Sequence, residues 1–150
     1  MQVAFYKGRH PGIAGWLGVA TKWWTRGPYS HGELIVAREG DTAVCWSSTY
    51  LDHGVRRAVV TLDDNWDVFD VPTTPAQEAA ALAWFEAHAG QPYDVAGLFG
   101  FAFRHYEGEK SKWFCTEAVA EALGLRDSWR YDPNTLAAVL APRDAQLEAA

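Results

Sequence analysis

Cysteine, methionine, adjacent basic residues and long apolar runs are all in short supply in this chain of 150 residues, and each shortage excludes something. Two cysteines, Cys45 and Cys115, cannot build a disulfide framework; free thiols are expected, with one bridge between them as the alternative. Lys and Arg total 13 against 19 Asp and Glu, a net charge of −6, and only Arg56 and Arg57 are adjacent among the scattered bases. A surface for nucleic-acid phosphates is therefore not expected. The longest apolar stretches, residues 12–20 and 95–103, fall short of the roughly 20 residues that span a bilayer, so stable membrane insertion is not expected either. The first residues lack a basic lead and a long apolar core, which predicts synthesis in the cytoplasm without a signal peptide. No His-x-x-x-His, Cys-x-x-Cys or Glu-x-x-His spacing occurs, nor a glycine-rich phosphate loop, nor Gly-x-Ser-x-Gly, so neither metal nor cofactor is expected. Asp63, Asp64 and Asp67 read as a solvated turn rather than a cation site.

What is present is a folding chain: 49% hydrophobic and 21% charged, with no Pro-rich or Gly/Ser-rich linker, it reads as one domain over residues 1–150 whose tail frays from about residue 142. Residues 2–7 predict a strand, 13–24 a helix ended by Arg26-Gly27-Pro28, and 31 onward a strand that turns at Glu39-Gly40-Asp41 into an antiparallel partner over 42–49. Further strands are predicted over 55–62 and 66–71, with Asp63-Asp64-Asn65 as the turn between them. Helices follow. Thr74-Pro75-Ala76-Gln77 carries a cap, a first-turn proline and a glutamine three residues on, predicting a helix over 75–89 that ends at Gly90. Others are predicted over 94–103, 114–123 and 133–140, with a charged loop over 107–112. Strands first and helices later give an α+β fold, an antiparallel sheet packed against helices.

Cys115 stands where that charged loop gives way to an apolar helical pattern. The first turn of a helix carries unpaired N–H groups and partial positive charge, which favour thiolate over thiol. A nucleophile of this kind needs a base. His31 opens a predicted strand, and alternation puts Glu33 on its face. Two readings stay open: His31 and Glu33 face the helices, or they face solvent with Leu34 and Val36 turned in. Cys115 too has a plain reading, as an inert inward thiol on the face shared by Ala118, Val119 and Ala122. The other histidines lie in loops or, for His88, in a helix's last turn. Eight tryptophans are explained either by packing or by an aromatic-lined groove, with Trp23, Trp24, Trp46 and Trp113 the ones near the proposed chemistry.

The segments Ser30-His31-Gly32-Glu33-Leu34-Ile35-Val36, Gly54-Val55-Arg56, Gly90-Gln91-Pro92-Tyr93-Asp94, Phe114-Cys115-Thr116-Glu117 and Asp132-Pro133-Asn134-Thr135-Leu136 occur in this order. So arranged, the chain resembles the circularly permuted NlpC-type papain-like thiol hydrolases, in the YiiX-like and lecithin retinol acyltransferase-like branch, where the histidine precedes the cysteine. The resemblance covers most of residues 1–140. It implies a single permuted NlpC-type domain in which Cys115 is the nucleophile and His31 the general base. Members often carry a polar or acidic orienting residue on the strand after the histidine. Here that strand reads Val44-Cys45-Trp46-Ser47-Ser48, without a carboxylate, so Ser47 is the closest match by register and Glu33 the local substitute. Trp46, Trp113 and Tyr93 are the candidate substrate contacts. The resemblance implies an amide of a peptide or peptidoglycan fragment as substrate, cleaved through an acyl-enzyme. It leaves two alternatives: acyl transfer or ester cleavage on lipid, with residues 98–103 lining an acyl tunnel, and a non-catalytic binding or virion-associated domain. Lack of a signal peptide suits a phage-encoded protein delivered by lysis or injection. Nothing in the sequence predicts the oligomeric state.

Overall fold

Five strands, β1 (Gln2–Tyr6), β2 (His31–Glu39), β3 (Thr42–Thr49), β4 (Gly54–Thr61) and β5 (Trp66–Asp70), form one antiparallel sheet in the order β4-β3-β2-β1-β5. The structure is a computed structural model and describes residues 1–9, 11–95 and 111–141. Four α-helices are found among them, α1 (Gly12–Thr25), α2 (Pro75–His88), α3 (Cys115–Ala122) and α4 (Pro133–Leu140), with a 3₁₀ turn at Ser128–Arg130. The fold is α+β, as the element order predicts. Gly40 makes the β2–β3 hairpin with φ +59°, a conformation that costs glycine nothing. The capping box of α2 closes in both directions, Thr74 N–H donating to Gln77 Oε1 at 2.8 Å and Gln77 N–H to Thr74 Oγ1 at 3.3 Å. The predicted helix over 94–103, the residue 98–103 tunnel, residues 107–110 of the charged loop, His10, His105 and the tail from 142 lie outside the described residues.

β5 departs from a simple meander: it pairs with β1 at the far edge, Tyr6 opposite Trp66, rather than with β4. A flat five-stranded sheet would separate its edges by roughly 19 Å. The connection from Thr61 to Trp66 cannot reach that far, because its second half is a turn closed by Trp66 N–H donating to the Asp63 carbonyl at 3.0 Å. The sheet must curl until its edges converge. Side chains from both edges accordingly meet inside the curl, where Leu62, Val60, Trp66 and Val68 pack with Ala4, Ile35, Ala43 and Cys45.

The main core lies on the other side of the sheet. Val3, Phe5, Leu34, Trp46 and Val55 meet Phe85 of α2, Val119 of α3 and Leu136 of α4 there. β1 and β2 thus bury both faces. Asn134, in the first turn of α4, ties the chain's beginning to its end: its Nδ2 donates to Thr25 Oγ1 at 2.6 Å and to the Tyr29 carbonyl at 2.9 Å, and its Oδ1 accepts from Tyr29 N–H at 2.9 Å. That fixes the approach to β2, and so the position of His31.

Candidate active site

His31 is the first residue of β2, set opposite Tyr6 of β1. The backbone just before it is pinned by Ser30 N–H donating to the Tyr6 carbonyl at 2.9 Å. Two residues on, Glu33 points the same way and is 1% exposed. Its Oε1 accepts from His31 Nε2 at 2.8 Å. Arg56, on β4, reaches the same carboxylate with both terminal nitrogens, Nη1 to Oε2 at 2.7 Å and Nη2 to Oε1 at 2.5 Å, while its Nε donates to Asp52 at 3.0 Å. Burial alone would raise the pKa of Glu33, but the bonds from Arg56 and His31 outweigh it and hold the carboxyl at about 2. Glu33 is therefore an anion at any neutral pH.

Cys115 arrives from the helix-covered face of the sheet. The strand-like stretch before it is held by Trp113 N–H donating to the Pro92 carbonyl at 3.1 Å, Asp94 N–H to the Trp113 carbonyl at 3.2 Å, and Ser48 Oγ to that same carbonyl at 2.6 Å. The Glu117 carboxylate caps the helix by accepting from Phe114 N–H at 3.4 Å. Burial raises Glu117 to about 7, assisted by the charges of Asp94 and Glu121 and opposed by the Phe114 bond. Gly32 then lets the helix land. A Cβ at that position would lie 2.8 Å from Thr116 Cγ2, so only glycine allows α3 to approach β2 this closely beside His31.

The result is a chain of three groups. The imidazole of His31 hydrogen-bonds Glu33 through Nε2 and lies close enough to Cys115 for the two to interact electrostatically. Burial would lower the pKa of His31, but its interactions with Cys115 and with the carboxylate of Glu33 raise it to about 9. A cleft of about 230 Å³ opens on the His31 side, lined by Leu17, Thr21, Tyr50, Leu51, Trp66 and Tyr93 as well as His31, Glu33 and Arg56. Cys115 itself is 1% exposed. Tyr93 lies close enough to feel the charge of Cys115; burial, followed by that charge and those of Asp94 and Glu117, raises its pKa well above the usual phenol value. Its ring stands edge-on to Tyr50 at 6.2 Å. Cys45, the other free thiol, is buried beside Glu33 and pushed up to about 12, chiefly by burial.

Of the residues singled out in the sequence, the fold brings Cys115, His31, Glu33 and Tyr93 together. Ser47 is not brought to the imidazole: its hydroxyl donates to the Gly32 carbonyl at 2.6 Å. Trp46 turns to the helix-covered side, where it stacks on Phe85 at 5.5 Å, and does not line the cleft. Trp113 is likewise structural, its indole N–H donating to Gln91 Oε1 at 2.6 Å and its ring standing edge-on to Trp84. Arg56 is a site residue to which the sequence, though it places Gly54-Val55-Arg56 among the resembling segments, assigns no role. Its signal was indirect: a buried glutamate requires a cationic or hydrogen-bonding partner, and Arg56 stands opposite Ser47 on the neighbouring strand. No group of acids, histidines and cysteines among the described residues has the arrangement of a metal site. No family model matches the chain, and no curated protein matches it.

Proposed function

We propose that this protein is a thiol hydrolase in which Cys115 is the nucleophile, His31 the general acid–base and Glu33 the residue that orients and charges the imidazole. The observation that carries this reading is that the start of α3, with Thr116 against Gly32, brings Cys115 beside the hydrogen-bonded His31–Glu33 pair, a helix start and a strand start far apart in sequence. It is the arrangement that nucleophile, base and orienting group require. The thiolate adds to a carbonyl carbon, forming a C–S bond, and the first-turn N–H groups of α3 hold the oxyanion. The His31 imidazolium gives its proton to the leaving nitrogen as the C–N bond breaks. Water then adds to the thioester with its proton taken by His31, and the C–S bond breaks to return the thiolate. Tyr93, on the wall of the cleft, contacts the entering substrate.

The resemblance to permuted NlpC-type enzymes favours an amide of a cell-wall peptide as substrate. The apolar part of the cleft wall, Leu17, Leu51, Val60 and Trp66, favours a second reading, an acyl ester of a lipid. Release of free amines from purified peptidoglycan, against release of fatty acid from phospholipid, separates the two.

The chemistry is tested by iodoacetamide labelling from pH 5 to 9, mapped to Cys45 and Cys115, in the wild type, His31→Ala and Tyr93→Ala. Cys115 is expected to label at pH 6–7, where Cys45 stays silent. His31→Ala should slow this at least tenfold and Tyr93→Ala should speed it by widening the cleft beside His31. If Cys115 labels no faster than Cys45 even in Tyr93→Ala, or is indifferent to His31→Ala, the pair is not activated and the hydrolase reading fails.

A further inference from the structure

The polar side chains of α1 turn to the protein and its aromatic ones to water. Thr21 is buried with its hydroxyl on the Leu17 carbonyl at 2.9 Å; Thr25 donates to the Thr21 carbonyl at 2.8 Å; Lys22 Nζ donates to the Gly8 carbonyl at 2.6 Å. Outside, Trp16 is 80% exposed, Trp23 76%, Trp24 51% and Val19 39%, with Ala20 exposed between them and Gly12 exposed before them. Trp16, Val19 and Trp23 recur at i, i+3 and i+7, one stripe along the helix. A water-facing helix has the reverse pattern. Beside the stripe runs a groove of about 380 Å³ lined by Arg9, Gly12, Gly15, Trp16 and Val19.

Charge singles out the same region. No Asp or Glu precedes Glu33, so all 19 acidic residues come after α1; Lys22 turns inward and Lys7 pairs with Asp67 at 2.6 Å, but Arg9 and Arg26 are exposed beside the two ends of the helix. An acidic protein thus carries an apolar, tryptophan-rich face with a basic rim. Indole rings, apolar in body with one N–H, settle at the boundary between lipid headgroups and acyl chains. Basic residues at that depth are drawn to anionic lipid.

We propose that the outer face of α1 docks on an anionic phospholipid bilayer, the helix lying in the interface plane with Trp16, Val19 and Trp23 in the acyl boundary and Arg9 and Arg26 at the phosphates. At 14 residues α1 is too short to cross, so it lies on the surface. A second copy is the poorer occupant, because a two-fold contact through this face would set the basic rims against each other. Leu17, Gly18 and Thr21, on the inner side of α1, line the cleft at His31, so docking holds that cleft about one helix diameter from the membrane.

The experiment is flotation of the full chain with vesicles of phosphatidylglycerol and phosphatidylcholine, against vesicles of phosphatidylcholine alone, with tryptophan emission read in parallel. The wild type is expected to float with the anionic vesicles and shift its emission to the blue, and salt should weaken binding. Trp16→Ser/Trp23→Ser should weaken it at least tenfold, and Arg9→Gln and Arg26→Gln about fivefold each. Both tryptophans are exposed, and unchanged far-ultraviolet circular dichroism establishes that the variant is folded. Should it not fold, quenching of wild-type tryptophan by lipids brominated near the headgroup replaces it, with strong quenching expected. The proposal is overturned if the wild type stays with the buffer, if the tryptophan variant floats equally, if brominated lipid leaves the emission unchanged, or if light scattering finds a dimer that the variant dissolves. The readout is binding rather than turnover, so it stands or falls apart from the thiol chemistry.

Discussion

A carboxylate as enclosed as Glu33 persists only in company, and its two partners pull it toward different duties. Arg56 keeps it charged; His31 receives that charge. The folded pKa of His31, about 9, lies above the 6.5 of the free side chain, so the stabilisation of its imidazolium is complete below pH 6.5 and is lost as pH rises through 9. The rate of turnover, which needs the imidazolium to protonate the leaving group, should therefore fall on an alkaline limb near pH 9. Glu33→Gln removes one of the two groups that raise His31, and the limb should move to lower pH; a limb that stays at 9 would show that Glu33 does not act on the imidazole. Glu33 was legible as a candidate because it shares a face with His31. Which face that was could not be read, since β2 buries Glu33 and Leu34 alike and alternation then loses its contrast.

At the scale of elements, the site depends on how closely α3 approaches β2, and Gly32 sets that distance. Gly32→Ala would press a Cβ to 2.8 Å from Thr116 Cγ2 and displace the helix start that carries Cys115. We expect a stability loss of about 1–3 kcal/mol, as for other overpacked interfaces, and at least a tenfold loss of Cys115 reactivity. Thr116→Ser removes that methyl while keeping the hydroxyl that donates to the Tyr131 carbonyl at 2.6 Å, so adding it to Gly32→Ala should restore most of the reactivity. Comparing the alkylation rates of the single and double variants checks this, and failure of the rescue would place the constraint elsewhere. The elements themselves were readable. The capping box of α2, the glycine turn between β2 and β3, and Asp132 capping α4 are contacts within a few residues of one another. Trp46 and Trp113 were misplaced for the opposite reason: closeness to a catalytic residue in sequence does not give the direction of a ring.

Across the whole molecule, the Arg56–Glu33–His31 network joins β4 to β2 inside the curl of the sheet. The folded pKa of Glu33, about 2, lies below the 4.5 of a free glutamate, so its contribution to stability is present above pH 4.5 and lost as pH falls through 2. The thermal midpoint of the wild type should accordingly decline across that window. Arg56→Ala leaves a buried carboxylate with one partner, a loss of about 3–5 kcal/mol at neutral pH that corresponds to a fall in midpoint on the order of 10 °C. Its acid decline should also begin at higher pH. A midpoint within a degree or two of wild type would mean that water, not Arg56, satisfies Glu33.

From the sequence alone came the α+β order, nearly every element boundary, and the candidacy of Cys115, His31 and Glu33, because caps, turns and periodicity act over a handful of residues. Tertiary structure decided the rest. β5 joined β1 because a short turn forced the sheet to curl, Arg56 reached Glu33 because strand register aligned them, and three tryptophans stayed outside because α1 turned its polar side chains inward. Each of these is a contact between segments distant in the chain, fixed by closure of the sheet and packing of helices on it, and no local pattern encodes it.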